Sequence, residues 1–210
     1  SARPGIWVVP VAVAAAMVDE GATFVDIGGE STRPGAQPVS VQEELDRVMP
    51  AIEAIRQRLD VCISIDSSSP EVITAATAAG AELINDVRAL TRDGALQAAA
   101  ESSAAICLMH MQGQPGTMQK SVHYDDVVAE VGDFLAQRVT ACRAADIASN
   151  RLLIDPGFGF GKTVDHNFRL LKHLAALKAL DLPILVGISR KSMLGAVIGR
   201  DVEQRLPASV

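Results

Sequence analysis

The sequence contains no basic run longer than Arg190-Lys191, no C-x-x-C pair, no low-complexity linker and no apolar stretch long enough to span a bilayer. Each absence removes a class of function. A nucleic-acid partner needs a basic stripe to neutralise phosphates, whereas this chain carries a formal net charge of −6. That balance leaves small anions open as ligands, because a few local cations decide their binding. The three cysteines, Cys62, Cys107 and Cys142, lie far apart, two of them in apolar strand-like runs. They read as small buried hydrophobes in a reducing compartment, not as disulfides or a thiolate metal site. His110, His123, His166 and His173 show no H-E-x-x-H or comparable ligand spacing, so no zinc site is expected. The stretch from Ile6 to Val18 is apolar, but Pro10 interrupts it, only Arg3 precedes it, and Asp19-Glu20 follow directly. It is too short for a membrane span and poorly flanked for a signal peptide. The expectation is a loop, then a buried amphipathic helix, in a cytoplasmic protein with no membrane partner.

What is present is a regular alternation. Six short apolar runs, at residues 23–29, 61–68, 83–89, 105–111, 151–158 and 182–190, are rich in β-branched residues and almost continuously apolar. Parallel strands covered on both faces have this pattern. Helical signals lie between them. Ser40 and Glu43 form a capping box ahead of the stripe Leu45, Val48, Ile52, Ile55. Ser69-Pro70-Glu71 offers an N-cap, a proline at the first helical position and an acid near the positive helix end, with Gly80 to close. Residues 125–145 and 166–178 carry two further helical patterns, with His166 at a helix start and His173 inside. The alternation predicts an α/β protein with a parallel sheet.

Each run ends in polar groups: Asp26, Asp66, Asn85-Asp86, His110, Asp155, and Ser189-Arg190-Lys191. A (β/α) barrel builds its active site from the C-terminal ends of many strands, while a doubly wound sheet concentrates such groups at one switch point. A (β/α)8 TIM barrel is therefore expected. Such barrels typically run to about 250 residues, so the expectation is one domain over residues 1–210 with six of eight strands visible. Met109-His110-Met111 reads as barrel lining.

Four motifs admit two readings each. Asp26 to Gly35 (DIGGESTRPG) is either a stiff loop presenting Arg33 or a surface turn with a solvated arginine. Asp66, Asn85 and Asp155 either converge on the edge of a flat heterocycle, a carboxylate accepting paired hydrogen bonds from an amino-pyrimidine, or merely cap turns. Residues 157–163 (GFGFGKT) lack the P-loop's first glycine, the required position being Pro156. That loop is an active-site candidate whose Phe158 and Phe160 could stack on a ring. In Ser189 to Met193 (SRKSM), Ser192 could cap a helix that attracts an anion beside Lys191, or the segment could be an ordinary capped helix.

VDIGGESTRPG, SIDSSSPEV, INDVRAL, CLMHMQGQPGTMQ, LLIDPGFGFGK and VGISRKSMLG together resemble dihydropteroate synthase segments, in that family's order and spacing, from about Thr23 to Val210. The resemblance implies transfer of a pterin methylene from diphosphate to p-aminobenzoate, in folate biosynthesis. It implies that Asp66, Asn85, Asp155 and Lys191 hold the pterin, with Met109 and Gly187 lining the slot. Thr32 and Arg33 would lie on a loop that closes over the reacting ends, Thr32 touching both substrates. Thr32, Pro34, Phe160 and Ser192 would receive p-aminobenzoate, and Asp66, Lys191 and Arg33 would carry the chemistry. It further implies small-molecule substrates, a homodimer, membership of an enzyme class that sulfonamides target, and magnesium at the leaving diphosphate. The family's Asn-x-Thr-x-Asp-Ser-Phe strand, whose Asn meets the metal, and its Arg-x-His strand are not among these residues. The metal ligand and much of the leaving-group machinery are thus expected outside the chain as given. A non-catalytic pterin-binding module and a pterin-dependent methyltransferase domain are the alternatives.

Overall fold

The computed structural model describes residues 9–32, 37–113, 118 and 122–209. Five strands, β1 (Phe24–Gly28), β2 (Cys62–Asp66), β3 (Leu83–Asp86), β4 (Ala105–Met109) and β5 (Leu152–Asp155), form one parallel sheet. Their order is strictly sequential, β1-β2-β3-β4-β5. Each strand therefore lies beside the next one in the chain, as in a (β/α) barrel, with no reversal at a switch point.

The sixth apolar run forms no strand. Ile184 makes a single parallel bridge to Ile154, through Ile154 N–H to Pro183 O (3.0 Å) and Leu185 N–H to Ile154 O (2.9 Å). The next rung would need an amide donor at position 156, which is proline. Without that N–H the ladder stops.

Helices precede, separate and follow the strands. They are α1 (Val9–Asp19), α2 (Val41–Arg56), α3 (Pro70–Ala78), α4 (Ala95–Glu101), α5 (Val127–Ala144), α6 (Val164–Lys172), α7 (Ser192–Ile198) and α8 (Leu206–Ser209). The Ser40–Glu43 capping box opens α2 as expected. Ser69 stands at the N-cap of α3 with Pro70 behind it, but its hydroxyl donates to Glu71 (2.9 Å) and caps no helix amide. Thr163, not His166, caps α6; His166 is the third helical residue and completes a capping box, and His173 is the C-cap. Helix α1 buries Val11 and Ala14 while leaving Val13 and Met17 exposed, a narrower apolar face than an amphipathic helix presents.

The outer face of the sheet is a row of Ile27, Ile65, Ile84, Ile106 and Leu152 in direct register. Val48, Ile52 and Ile55 of α2, Val72 and Ile73 of α3, and Val131 and Leu135 of α5 belong to the same buried core. Each such aliphatic side chain contributes about 1.5–3 kcal/mol on burial. The core thus lies between sheet and helices, and the other sheet face is left for chemistry.

Candidate active site

Strand pleating sorts the polar strand ends. Gly28, Asp66, Asn85, Cys107 and Leu153 form one register row, and Met109 pairs with Asp155 two residues further along. Because side chains alternate along a strand, Asp66, Asn85, Met109 and Asp155 all face inward, opposite the isoleucine row. Asp86 faces outward. It is fully buried and accepts hydrogen bonds from the Ser68 hydroxyl, Arg88 N–H (2.9 Å) and Leu90 N–H (2.7 Å). It builds the turn after β3, so Asn85 and Asp86 do different work although adjacent.

The inner face is acidic. Asn85 Nδ2 donates to Asp26 Oδ2 at 3.1 Å. Burial pushes the Asp66 carboxyl up to about 7, and the charges of Asp26, Asp86 and Glu44 add to the shift against Arg88. Asp155 is 5% exposed, and burial also raises it. The Gly157 N–H (2.7 Å to Oδ1) and the charges of Lys191 and Lys162 oppose that shift. Carboxyls held this way gain most from a ligand that brings its own N–H donors.

Beside this face lies a pocket of about 510 Å³ whose lining includes Thr32, Gly159, Phe160, Asn167, Lys191 and Ser192. The Lys191 ammonium sits over the Phe160 ring, 4.4 Å from its centroid. Burial lowers the Lys191 pKa while Asp155 pulls it up, so this one side chain belongs to both the acidic face and the pocket. Of the two loop phenylalanines only Phe160 lines the pocket; Phe158 is 1% exposed and packs in the core. Ser192 is exposed and is the first residue of α7, whose N-cap is Lys191 with no side-chain capping bond. The expected serine cap is thus absent. Gly187 is half-buried on the segment after the Ile184 bridge, and a Cβ there would meet no atom within 4 Å. Arg33 and Pro34 lie outside the described residues.

Two contributors, Lys162 and Asn167, escaped the sequence reading, and His110, read there as a polar strand end and barrel lining, works with them. Lys162 is 3% exposed, and its Nζ lies 2.9 Å from His110 Nδ1 and donates to the carbonyls of Gly157 (2.9 Å), Phe160 (3.1 Å) and His110 (3.3 Å). Burial pushes that ammonium down to about 7, Asp155 raising it and Lys191 lowering it further. His110 is pushed down to about 3, by burial and then by Lys162. Asn167, 2% exposed, accepts from Gly159 N–H (2.7 Å) and donates to Thr163 O (2.7 Å). The one signal in the sequence for Lys162 was the Gly-Lys pair itself, set aside with the P-loop.

Residues 9–210 match the family model described as "Pterin binding enzyme". A dihydropteroate synthase of Escherichia coli K12 is 53% identical over 194 residues, which is 92% of this chain and 69% of that protein. The Yersinia pestis dihydropteroate synthase, solved with a sulfonamide drug complex, superposes with a TM-score of 0.90 at 54% identity, covering 93% of this chain and 71% of the other. The Xanthomonas albilineans dihydropteroate synthase, solved with 4-aminobenzoic acid, gives a TM-score of 0.91 at 49% identity over 97% of this chain and 72% of the other. The chain belongs to the dihydropteroate synthase family. The fold is accordingly the TIM barrel of these dihydropteroate synthases, and the five-stranded sheet is an arc of it. The family's members are transferases, and the identity to dihydropteroate synthases sets aside the methyl-transfer alternative. Among the described residues no group of three or more His, Cys, Asp or Glu side chains is placed to hold a metal ion. No helix among the described residues is long and apolar enough to cross a membrane.

Proposed function

We infer that this protein condenses 6-hydroxymethyl-7,8-dihydropterin diphosphate with p-aminobenzoate, forming 7,8-dihydropteroate and releasing diphosphate. The observation that carries this reading is the shared position of Lys191. It feels the charge of Asp155 on the acidic face and stands over Phe160 in the neighbouring pocket. Two subsites that meet at one cation suit two substrates joined in one step.

Asp66, Asn85 and Asp155 take the pterin by its hydrogen-bonding edge, Met109 and Gly187 line its slot, and Lys191 closes the site. The carboxyls accept the paired N–H donors of the pyrimidine ring, which offsets the burial that raises Asp66 and Asp155. p-Aminobenzoate lies in the pocket against Phe160, between Thr32 and Ser192. Its carboxylate faces the Ser192 hydroxyl and the amides behind it. The aniline nitrogen attacks the pterin methylene carbon, the carbon–oxygen bond to diphosphate breaks with its electron pair on oxygen, and the nitrogen then loses a proton. The acidic face stabilises positive charge developing on the pterin, while Lys191 and Arg33 offset charge on the departing group.

Action in the cytoplasm and as a homodimer belong to the same proposal, as does magnesium, whose ligands would come from outside the described residues. The test is turnover by the full-length protein, followed as diphosphate release with both substrates present. Replacing p-aminobenzoate by its methyl ester or by aniline should raise KM far more than it alters pterin affinity. Equal use of aniline would contradict the carboxylate's placement.

A further inference from the structure

We propose that Lys162 and Asn167 are positioning residues for the p-aminobenzoate subsite, holding Phe160 and Lys191 in place from beneath the glycine loop. The proposal rests on the function inferred above. Neither residue is needed to fill space. Burying an ammonium is costly, and methionine would occupy the same volume without that cost. Yet Lys162 is 3% exposed, with three carbonyls and one imidazole nitrogen aimed at Nζ.

Those acceptors come from both sides of the site. The His110 carbonyl and ring follow directly on β4, whose last residue is Met109, while the Gly157 and Phe160 carbonyls belong to the loop after β5. The ammonium therefore ties the loop to the neighbouring strand end and fixes the peptide that carries the Phe160 ring. Asn167 works one residue earlier. Its side-chain oxygen takes the Gly159 N–H, and its amide nitrogen is anchored on Thr163 O and Lys162 O. The Lys191 stem lies against Gly159, with Cδ 3.4 Å from the position a Cβ would occupy. One clamp thus sets the ring and the other sets the floor beneath the cation. The loop needs such clamps because Gly157, Gly159 and Gly161 all have positive φ, at 68°, 83° and 60°. Glycine loses the most freedom on ordering, so a loop built on three of them has little intrinsic shape.

A residue that merely stabilises the barrel would affect both substrates. A clamp under Phe160 should affect one. In the full-length protein, Lys162→Met should raise KM for p-aminobenzoate by about ten- to a hundredfold at saturating pterin diphosphate, since several buried carbonyls lose their donor. The Kd of a pterin, measured by calorimetric titration, should change by less than about twofold in the Asn167 variants, and by much less than KM in Lys162→Met, which also removes a cation acting on Asp155. Asn167→Asp keeps the acceptor for Gly159 but sets a buried carboxylate oxygen against the Thr163 and Lys162 carbonyls, so it should raise KM at least as much as Asn167→Leu, and both should approach Lys162→Met. If Lys162→Met does not fold, the Asn167 pair decides the question. KM and pterin Kd moving together would overturn the proposal, as would an unchanged KM in variants of a wild type that uses p-aminobenzoate. A wild type that does not use p-aminobenzoate would overturn the functional reading, and the clamp with it.

Discussion

The Lys191 ammonium stands 4.4 Å from the centre of the Phe160 ring, on a stem laid over Gly159. A cation over an aromatic face is worth about 0.5–2 kcal/mol, more as water is excluded. Here it also does geometric work, because Asp155 acts on the same ammonium from the strand side.

Phe160→Leu should keep the loop's volume while removing the ring face that holds both the cation and the aminobenzoate. The expected result is a rise in KM for p-aminobenzoate of about tenfold, corresponding to roughly 1–1.5 kcal/mol. Steady-state rates at saturating pterin diphosphate measure this directly. Unchanged KM would place the aminobenzoate elsewhere.

Asp66 should trade stability for function. Its folded pKa of about 7 lies above the unfolded value of an aspartate, about 3.9. The folded state therefore binds the proton more tightly. The carboxyl favours folding fully below about pH 4, and that contribution is lost as pH rises toward 7. Asp66→Asn should raise stability at pH 8 on the order of 1–3 kcal/mol, with the gain fading toward pH 4. Pterin affinity should fall in the same variant. Denaturant unfolding at the two pH values tests the sign, and a destabilised variant at pH 8 would refute it.

Gly157→Ala should be among the most damaging single-methyl changes in the chain. The residue has φ +68°, and a Cβ there would collide with the His110 carbonyl oxygen. Left-handed strain and this backbone clash add, so a loss of at least about 2–4 kcal/mol is expected. Gly187→Ala is the control, since a Cβ there meets nothing within 4 Å. Thermal unfolding of the two variants side by side should separate them clearly.

The parts of this site that were legible in the sequence are those written as pattern. Asp66, Asn85 and Asp155 stood out because a polar residue ending an apolar run is conspicuous, and the Ser40–Glu43 box because its spacing is fixed. Other features depend on backbone geometry that pattern does not carry. Pleating turns Asn85 and Asp86 to opposite faces although they are neighbours. The positive φ at Gly157 and Gly159 decides that Phe158 enters the core while Phe160 reaches the pocket. Helix α4, ALQAAAE after a Gly94 N-cap, is short and too uniformly alanine to show a period. The sixth strand looked sound because its own residues favour a strand; the missing donor is on its partner, at Pro156. Lys162 stayed hidden because a buried lysine and a solvated one look alike in sequence.

The central claim is that the inner face of β2, β3, β4 and β5 binds a pterin through charged acceptors, and Asp155 tests it most directly. Its Oδ1 also accepts the Gly157 N–H at 2.7 Å, so alanine would loosen the loop as well as remove the charge. Asp155→Asn keeps an acceptor oxygen for that amide and removes the carboxylate. The measurement is calorimetric titration of a pterin into full-length wild type, Asp155→Asn and Asp155→Ala, each checked by circular dichroism. Losing a charge-assisted contact should cost about 2–4 kcal/mol, tens- to hundreds-fold in Kd or more, in both variants with the fold intact. Wild-type affinity in a folded Asp155→Asn would contradict the account.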